Sequence, residues 1–324
     1  MDTQPAPTDW PPWYCPEHRV PLRIETDHLS CPFGERFGVS MGIPRFVGAG
    51  TYADHFGAQW QRFRLTQLDS YTGFNFSRER LRRCLGSAIP DAVAGRRVLE
   101  CGCGAGRFTE ILLAGGATVT SIDLSAAVES NAVTFPPSAC HRIAQADILS
   151  LPFREQSFDL VLCLGVVQHT PNPERTIAAL YDQVAPGGTL VIDHYTFSIG
   201  WYTKTAPLFR QWLKRLHPVA AFAVTDRLVN ALLPLHKRVA RIPILRSVVA
   251  RISPVLSYYV AYPQLSDALH REWALLDTHD VLTDHYKHFR TARSIRRTME
   301  RLGMQSVWCE LGGNGVEARG RRPA

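Results

Sequence analysis

Val98-Leu99-Glu100-Cys101-Gly102-Cys103-Gly104-Ala105-Gly106 places an acid and a tight glycine turn directly behind a buried strand. The strand is read from Arg97-Val98-Leu99-Glu100, which follows the turn at Gly95. The helix after it is read from Arg107-Phe108-Thr109-Glu110-Ile111-Leu112-Leu113, whose apolar residues recur with helical period. Glycines at 102, 104 and 106 let the backbone take torsions costly to other residues and approach a ligand closely, while the first N–H groups of the helix point at it. The stretch therefore reads as a nucleotide-cofactor site. Taken alone, it is equally an ordinary strand-to-helix turn.

The sequel separates these readings. Ala117-Thr118-Val119-Thr120-Ser121-Ile122-Asp123 is a second buried strand ending in a carboxylate, where a βαβ unit offers an acid to a ribose diol. Gln145-Ala146-Asp147 precedes Leu151-Pro152-Phe153, and Ser157-Phe158-Asp159-Leu160-Val161-Leu162-Cys163 forms a further apolar strand. A dinucleotide dehydrogenase fits less well, because its fingerprint spaces the last glycine two residues beyond the second, and here Gly106 comes one residue too early. In order, Glu-x-Gly-x-Gly-x-Gly, the strand-end Asp123, Ala146-Asp147 before Leu-Pro-Phe, Phe158-Asp159-Leu160-Val161 and Leu180 through Pro186-Gly187-Gly188-Thr189-Leu190 resemble the motifs of the S-adenosylmethionine-dependent methyltransferases with a Rossmann-like fold. The resemblance covers roughly residues 75–198 and, more loosely, the C-terminal segment.

That resemblance implies an α/β chain: a seven-stranded, mostly parallel Rossmann-like sheet with a helical lid insertion and a small N-terminal β module. It also implies roles. Glu100 and the turn of Gly102, Cys103, Gly104 and Gly106 would hold the amino-acid end of S-adenosylmethionine. Asp123, beside Leu124, would hold the ribose hydroxyls, and Asp147 the adenine amino group, with Ala146 and Ile148 beside the ring. Gly165, Val166 and the residues up to His169 would face the methionine moiety and the acceptor.

With 324 residues, 45% hydrophobic and 20% charged, the chain can bury one large core plus an attached module. Met1-Asp2-Thr3-Gln4-Pro5-Ala6-Pro7 lacks a basic region followed by an apolar stretch, so no export signal is expected. Eight cysteines are scattered, and Cys101 and Cys103 sit in the turn where a disulfide would distort it; a reducing cytoplasm is the expected setting. The net charge of +7 is unevenly spread. Between 200 and 262, ten Lys and Arg residues stand against Asp226 alone, a segment charge of +9 that leaves about −2 elsewhere. Because the same stretch is rich in Leu, Val, Phe, Trp and Tyr, it reads as a lid facing an amphiphile, or peripherally an anionic membrane, rather than a groove tracking nucleic-acid phosphates. Solvated charges on a local helix pair are the plain alternative.

Four segments result: a ribbon-like module at 1–48, a core with the cofactor site at 49–199, the basic helical lid at 200–283, and a helix with β-hairpin at 284–324. In the module, Cys15-Pro16-Glu17-His18 has the two-residue gap of metal-ligand pairs, and Cys31 lies in Leu29-Ser30-Cys31-Pro32-Phe33-Gly34, which resembles the second half of a zinc ribbon. A closed tetrahedral site wants a further cysteine near Phe33 or Gly34 and finds none, so the ribbon shape is expected without zinc, with zinc completed by water or a neighbouring side chain as the alternative. Trp60, Gln67 and Arg78 are pocket candidates. In the lid, Pro207, Pro218, Pro234, Pro243, Pro254 and Pro263 are expected to break the chain into short helices, none able to span a bilayer.

Methyl transfer from a sulfonium needs an acceptor lone pair in line with the methyl and the leaving sulfur, so positioning can supply most of the rate. A hydroxyl acceptor also gains from a base that titrates near neutrality, as histidine does. The candidates are His169 first, then His194 and Tyr195, then His285 or Tyr286; Asp277-Thr278-His279-Asp280 is a second polar cluster. The expected acceptor is small or lipid-like. A nucleic-acid methyltransferase is disfavoured, because Gly165-Val166-Val167-Gln168 is not of the Asn/Asp-Pro-Pro-Tyr/Phe type. The alternative from another class is a non-catalytic cofactor-binding assembly protein, which turnover would distinguish.

Overall fold

A computed structural model describes residues 10–48 and 50–324. The lead segment, on which the export reading rests, lies outside the described residues. Four short antiparallel strands come first, paired in chain order: β1 (Arg23–Ile24), β2 (His28–Ser30), β3 (Arg36–Ser40) and β4 (Ile43–Pro44). Helices α1 (Asp54–Arg62), α2 (Asp69–Thr72), α3 (Phe76–Leu85) and α4 (Ile89–Val93) lead into the larger sheet. There β5 (Arg97–Cys101), α5 (Thr109–Ala114), β6 (Thr118–Asp123), α6 (Ala127–Thr134), β7 (His141–Gln145), β8 (Phe158–Cys163), α7 (Pro173–Gln183) and β9 (Val184–His194) alternate, as unbroken apolar strands between amphipathic helices require. The segment expected to form a lid folds into α8 (Ile199–Tyr202), α9 (Ala206–Leu213), α10 (Pro218–Val239), α11 (Pro243–Ile252) and α12 (Asp267–Thr283). The chain closes with α13 (Ala292–Arg301), β10 (Gln305–Gly312) and β11 (Gly315–Arg321).

The seven strands run in the order β10-β11-β9-β8-β5-β6-β7, with β5 to β9 parallel and the terminal hairpin antiparallel, as the resemblance implies. Central β5 aligns Leu99 with Thr120 of β6 and with Val161 of β8. The chain order reverses on either side of β5, so the carboxyl ends of β5 and β8 flank a crevice, the usual ligand position in such sheets.

Side-chain alternation gives the sheet two buried faces. Leu99, Cys101, Ile122, Val161 and Ile192 pack with Trp13, Leu22 and Leu29 of the N-terminal module, Ile177 of α7 and Met299 of α13. Val98, Val119, Leu160 and Leu162 pack with Leu81 of α3 and Ile111 and Leu112 of α5. The N-terminal module is thus built into the main core. It also lies along β7: Phe46 N donates to Gln145 O at 2.8 Å, Tyr14 N to Pro152 O at 2.9 Å, and Arg45 Nη2 to Glu129 Oε1 at 2.8 Å.

Pro207, Pro218 and Pro243 open α9, α10 and α11, where a missing N–H costs nothing. Pro234 departs from expectation. It sits inside α10, which runs 22 residues without a break. The buried stripe Ala221, Thr225, Val229 and Leu233 recurs every four residues, and Val229 and Leu233 pack with Ala274 to Leu276 of α12, which outweighs the local defect. The expectation of no membrane-length helix is corrected with it: by length and composition α10 is one, although its stripe packs within this chain.

Candidate active site

A cavity of about 550 Å³ opens at the carboxyl ends of β5 and β8. It is of ordinary ligand size. Twelve of the residues expected in the site line it: Gly102, Cys103, Gly104, Asp123, Leu124, Ala146, Asp147, Ile148, Gly165, Val166, His169 and Tyr195.

On the cofactor side, Gly102 N and Cys103 N donate to Ile122 O at 2.8 and 2.9 Å, which folds the turn back onto β6. Gly102 has φ +75°, and a Cβ there would stand 2.1 Å from Val166 Cγ2. The turn and the loop after β8 can therefore approach only around a hydrogen atom. Gly104 N donates to Asp123 Oδ2 at 3.0 Å, while Asp123 Oδ1 accepts from Ser125 N at 2.9 Å and Oγ at 2.7 Å. Burial pushes the Asp123 carboxyl above the usual carboxylate range, although these donors pull it down. Asp147 caps the short helical turn Ile148–Ser150 through Leu149 N at 2.9 Å. Trp60 and Gln67 line the cavity as expected, and Arg107 donates to Gln67 Oε1 at 3.1 Å. Arg78 does not line it. Arg80 does, two residues on, paired with the buried Asp193, which also accepts from Gly165 N at 2.5 Å.

The opposite wall is polar. His169 is buried, its Nδ1 3.2 Å from Asp284 Oδ2 and 3.2 Å from Tyr286 O. Lys287 Nζ stands 2.5 Å from the same Oδ2 and 4.7 Å from the Tyr195 ring centre, and Arg210 Nε is 2.5 Å from Asp284 Oδ1. Burial opposes the Asp284 charge, but Lys287, His169 and Arg210 hold the carboxyl below the usual carboxylate range. Burial would lower His169, yet Asp280 and Asp284 hold it above the ordinary histidine value. Burial raises Asp280, whose Oδ1 is buried without a hydrogen-bond partner. Three residues before it on α12, Asp277 is pushed up to about 6 by burial and accepts from the Tyr258 hydroxyl. Gln168, fully buried at the cavity wall, has neither amide atom paired. Gly102's missing Cβ and these unpaired polar groups fit a polar cofactor with an acceptor beside it.

Three expected site residues lie elsewhere. Glu100 points away from the cavity into a buried network, accepting from Thr109 Oγ1 at 2.5 Å and Ser121 Oγ at 3.0 Å; burial pushes its carboxyl up to about 7. The cause is strand parity: Glu100 shares a face with Val98, toward α5. Gly106 serves packing, since a Cβ there would meet the Phe135 ring at 2.6 Å. His285 is exposed, and its carbonyl accepts from Arg210. His194 is also turned inward, lowered to about 4 by burial.

Lys287, Asp280 and Gln168 were not singled out in the sequence as site residues individually. Asp280 was signalled by the 277–280 cluster, which lies within α12 and presents Asp277 and Asp280 to the cavity while His279 packs on Phe222. Lys287 carried no local signal, because its role comes from the fold of the 284–289 segment against β9. The metal candidates lie apart, in the N-terminal sheet: His18 Nδ1 is 3.6 Å from Cys15 Sγ and 3.8 Å from Cys31 Sγ. A fourth donor, Glu35, joins them at 3.0 Å from the same nitrogen. Glu35 is such a neighbouring side chain, just beyond the Phe33–Gly34 position where a cysteine is expected.

Replacing Asp123 by alanine is expected to weaken S-adenosylmethionine binding by about 1.5–3 kcal/mol, because a charged acceptor is lost and the Gly104 N–H anchor with it. Titration calorimetry reads this directly. Unaltered affinity would remove Asp123 from the site.

Residues 99–192 match a family model described as a methyltransferase domain. A ubiquinone biosynthesis O-methyltransferase of Pseudomonas putida is 37% identical over 101 residues, 30% of this chain and 43% of that relative. The chain thus spans less than half the length of the curated relatives it matches. Among solved structures, a chain of the Haloferax volcanii complex of a methyltransferase activator with a methyltransferase aligns at TM-score 0.48 and 12% identity, over 84% of this chain and 99% of that one. An O-methyltransferase family protein from Burkholderia thailandensis aligns at 0.46 and 14%, over 83% and 62%. The family match falls on the strands, turn and acids that form the cavity's cofactor side, and the chain accordingly carries a Rossmann-like, S-adenosylmethionine-dependent methyltransferase domain.

Proposed function

We propose that this protein transfers the methyl group of S-adenosylmethionine to a hydroxyl, or a comparable nucleophile, of a small or amphiphilic metabolite. The observation that carries the reading is one cavity walled by Gly102, Asp123 and Asp147 on one side and by His169, Tyr195 and Asp280 on the other. S-adenosylmethionine, when bound, supplies an electrophilic methyl carbon on a good sulfur leaving group. The chain's part is to hold and to deprotonate. Asp284 and the Tyr286 carbonyl, both at His169 Nδ1, set the tautomer: once the ring is neutral its remaining proton stays on that nitrogen and the lone pair falls on Nε2. His169 then takes the acceptor hydroxyl's proton as the oxygen attacks. Asp280 and Gln168 offer unpaired hydrogen-bonding atoms that orient the acceptor. An O-acceptor of lipid-like character also agrees with the name of the Pseudomonas putida relative. The test is incubation of purified protein with methyl-labelled S-adenosylmethionine and fractionated hydroxylated lipids and phenols. Label entering one fraction with a mass gain of one CH₂ supports the reading; no transfer to any acceptor favours a binding protein.

An amphiphilic acceptor reached at an anionic membrane surface is the finer form of the proposal. Twelve of the twenty exposed large hydrophobic side chains among the described residues fall between 197 and 252, Ile199, Leu208, Trp212 and Ile244 among them. Lys214, Arg215, Arg238 and Arg241 in the same segment have no ion pair among the described residues, whereas Lys237 pairs with Asp267 at 2.6 Å. Each unpaired basic residue near an anionic surface contributes about 1 kcal/mol. Co-sedimentation with anionic vesicles is therefore expected at low salt, reduced at high salt and in a variant with these four residues changed to Gln. Indifference to vesicles at low salt would leave the lid as a cover for a soluble acceptor.

A further inference from the structure

We propose that Cys15, His18, Cys31 and Glu35 bind one zinc ion, which closes the N-terminal module. Two short turns supply the ligands. In the first, Arg19 N donates to Cys15 O at 2.9 Å and Cys15 N to Val20 O at 2.8 Å, which brings Cys15 and His18 to one side. In the second, Gly34 N donates to Cys31 O at 3.0 Å and Cys31 N to Glu35 O at 2.9 Å, which does the same for Cys31 and Glu35.

The four donor atoms, two Sγ, His18 Nδ1 and one Glu35 oxygen, all lie within 4.8 Å of one another. A tetrahedral zinc with Zn–S near 2.3 Å and Zn–N or Zn–O near 2.0–2.1 Å requires ligand separations of about 3.3–3.8 Å. The two sulfur–nitrogen separations, 3.6 and 3.8 Å, fall in that range, and the nitrogen–oxygen separation of 3.0 Å is slightly tighter. Glu35 Oε2 is buried and has no hydrogen-bond partner, although His18 Nδ1 is that close. The carboxylate is thus turned toward the same point as the His18 nitrogen and the Cys31 thiol.

The surroundings agree. Cys15 and Cys31 are buried, and the Phe33 ring stacks on His18 at 4.6 Å, covering the outer side of the cluster. Sulfur, imidazole and one carboxylate suit zinc rather than magnesium or calcium, which prefer oxygen alone. Two of the module's four strands have only two residues, so a cross-link between its turns contributes much of its order.

The test uses the full chain, purified without chelators or a histidine tag. Elemental analysis is expected to give one zinc per chain, and removal of the metal to lower the thermal transition. Cobalt added to the apoprotein is expected to produce thiolate charge-transfer absorption and the intense visible bands of a tetrahedral site, a readout that does not depend on activity or on a variant's folding. Glu35→Gln is expected to weaken zinc by more than the roughly 10–100-fold that losing a supporting contact costs. Metal-free protein with no cobalt spectrum overturns the proposal, as does a Cys15–Cys31 disulfide in freshly isolated protein. Zinc held equally tightly by Glu35→Gln overturns the four-ligand set.

Discussion

Gly102→Val is expected to weaken S-adenosylmethionine binding by roughly 30-fold to several thousand-fold while leaving a folded protein. Holding a residue with a side chain at φ +75° costs about 1–2 kcal/mol. The new Cβ, built 2.1 Å from Val166 Cγ2, adds an overpacking cost of about 1–3 kcal/mol. If both fall on the bound state, the loss is about 2–5 kcal/mol, or roughly 30-fold to several thousand-fold in affinity. The turn sits at the cavity wall and outside the sheet's two apolar faces, so a thermal melt should still show a cooperative transition. Gly102→Ala combined with Val166→Ala relieves the clash with Val166 Cγ2, leaving a contact of 3.1 Å to its Cβ, and should recover some of the affinity. Binding by Gly102→Val within a few-fold of wild type would contradict the assignment of this turn to the cofactor.

His169→Ala is expected to lower kcat by about 10²–10⁴-fold with a smaller effect on S-adenosylmethionine affinity. Base catalysis needs the neutral imidazole, and Asp280 and Asp284 hold His169 protonated to higher pH than a free histidine. The rate should therefore rise with pH through that elevated value. Asp280→Asn removes one negative neighbour and should move the acid limb of the kcat profile to lower pH. Stability runs the other way. With a folded pKa above the unfolded value of about 6.5, the favourable interactions of protonated His169 are fully present below the unfolded value and fade as pH rises through the folded one. Denaturant titrations across this window should show wild type losing more stability than His169→Ala. An unmoved acid limb in Asp280→Asn, together with full turnover by His169→Ala, would eliminate the base role.

The parts of the site legible in the sequence are those carried by single local segments. Gly102 to Gly104, Asp123, Ala146 to Ile148 and Gly165 to Val166 each follow a strand of the parallel sheet, so the order of strands delivers them to one crevice. Glu100, for which the resemblance implies a place at the cofactor, stands behind the turn, and strand parity turns it toward Thr109. Asp280 is signalled by the 277–280 cluster, but Lys287 joins the wall only where the segment after α12 returns to the cavity, a long-range event that no local spacing encodes. Pro234 shows the same limit, since tertiary packing of α10 overrides a local breaker. Glu35 carries no signal of its own in the sequence, because carboxylates are common and only the fold brings this one to His18.

The lie of Phe46 along Gln145 has a meaning beyond packing. β7 is an outer strand of the large sheet, and outer strands carry unpaired peptide groups that invite another chain to add on. The residues after β4 occupy that margin: Phe46 N takes the Gln145 carbonyl, and Arg45 bridges to Gln145 and Glu129. The N-terminal module thus closes the Gln145 end of that margin, and its removal would leave the Gln145 carbonyl there without the Phe46 N–H.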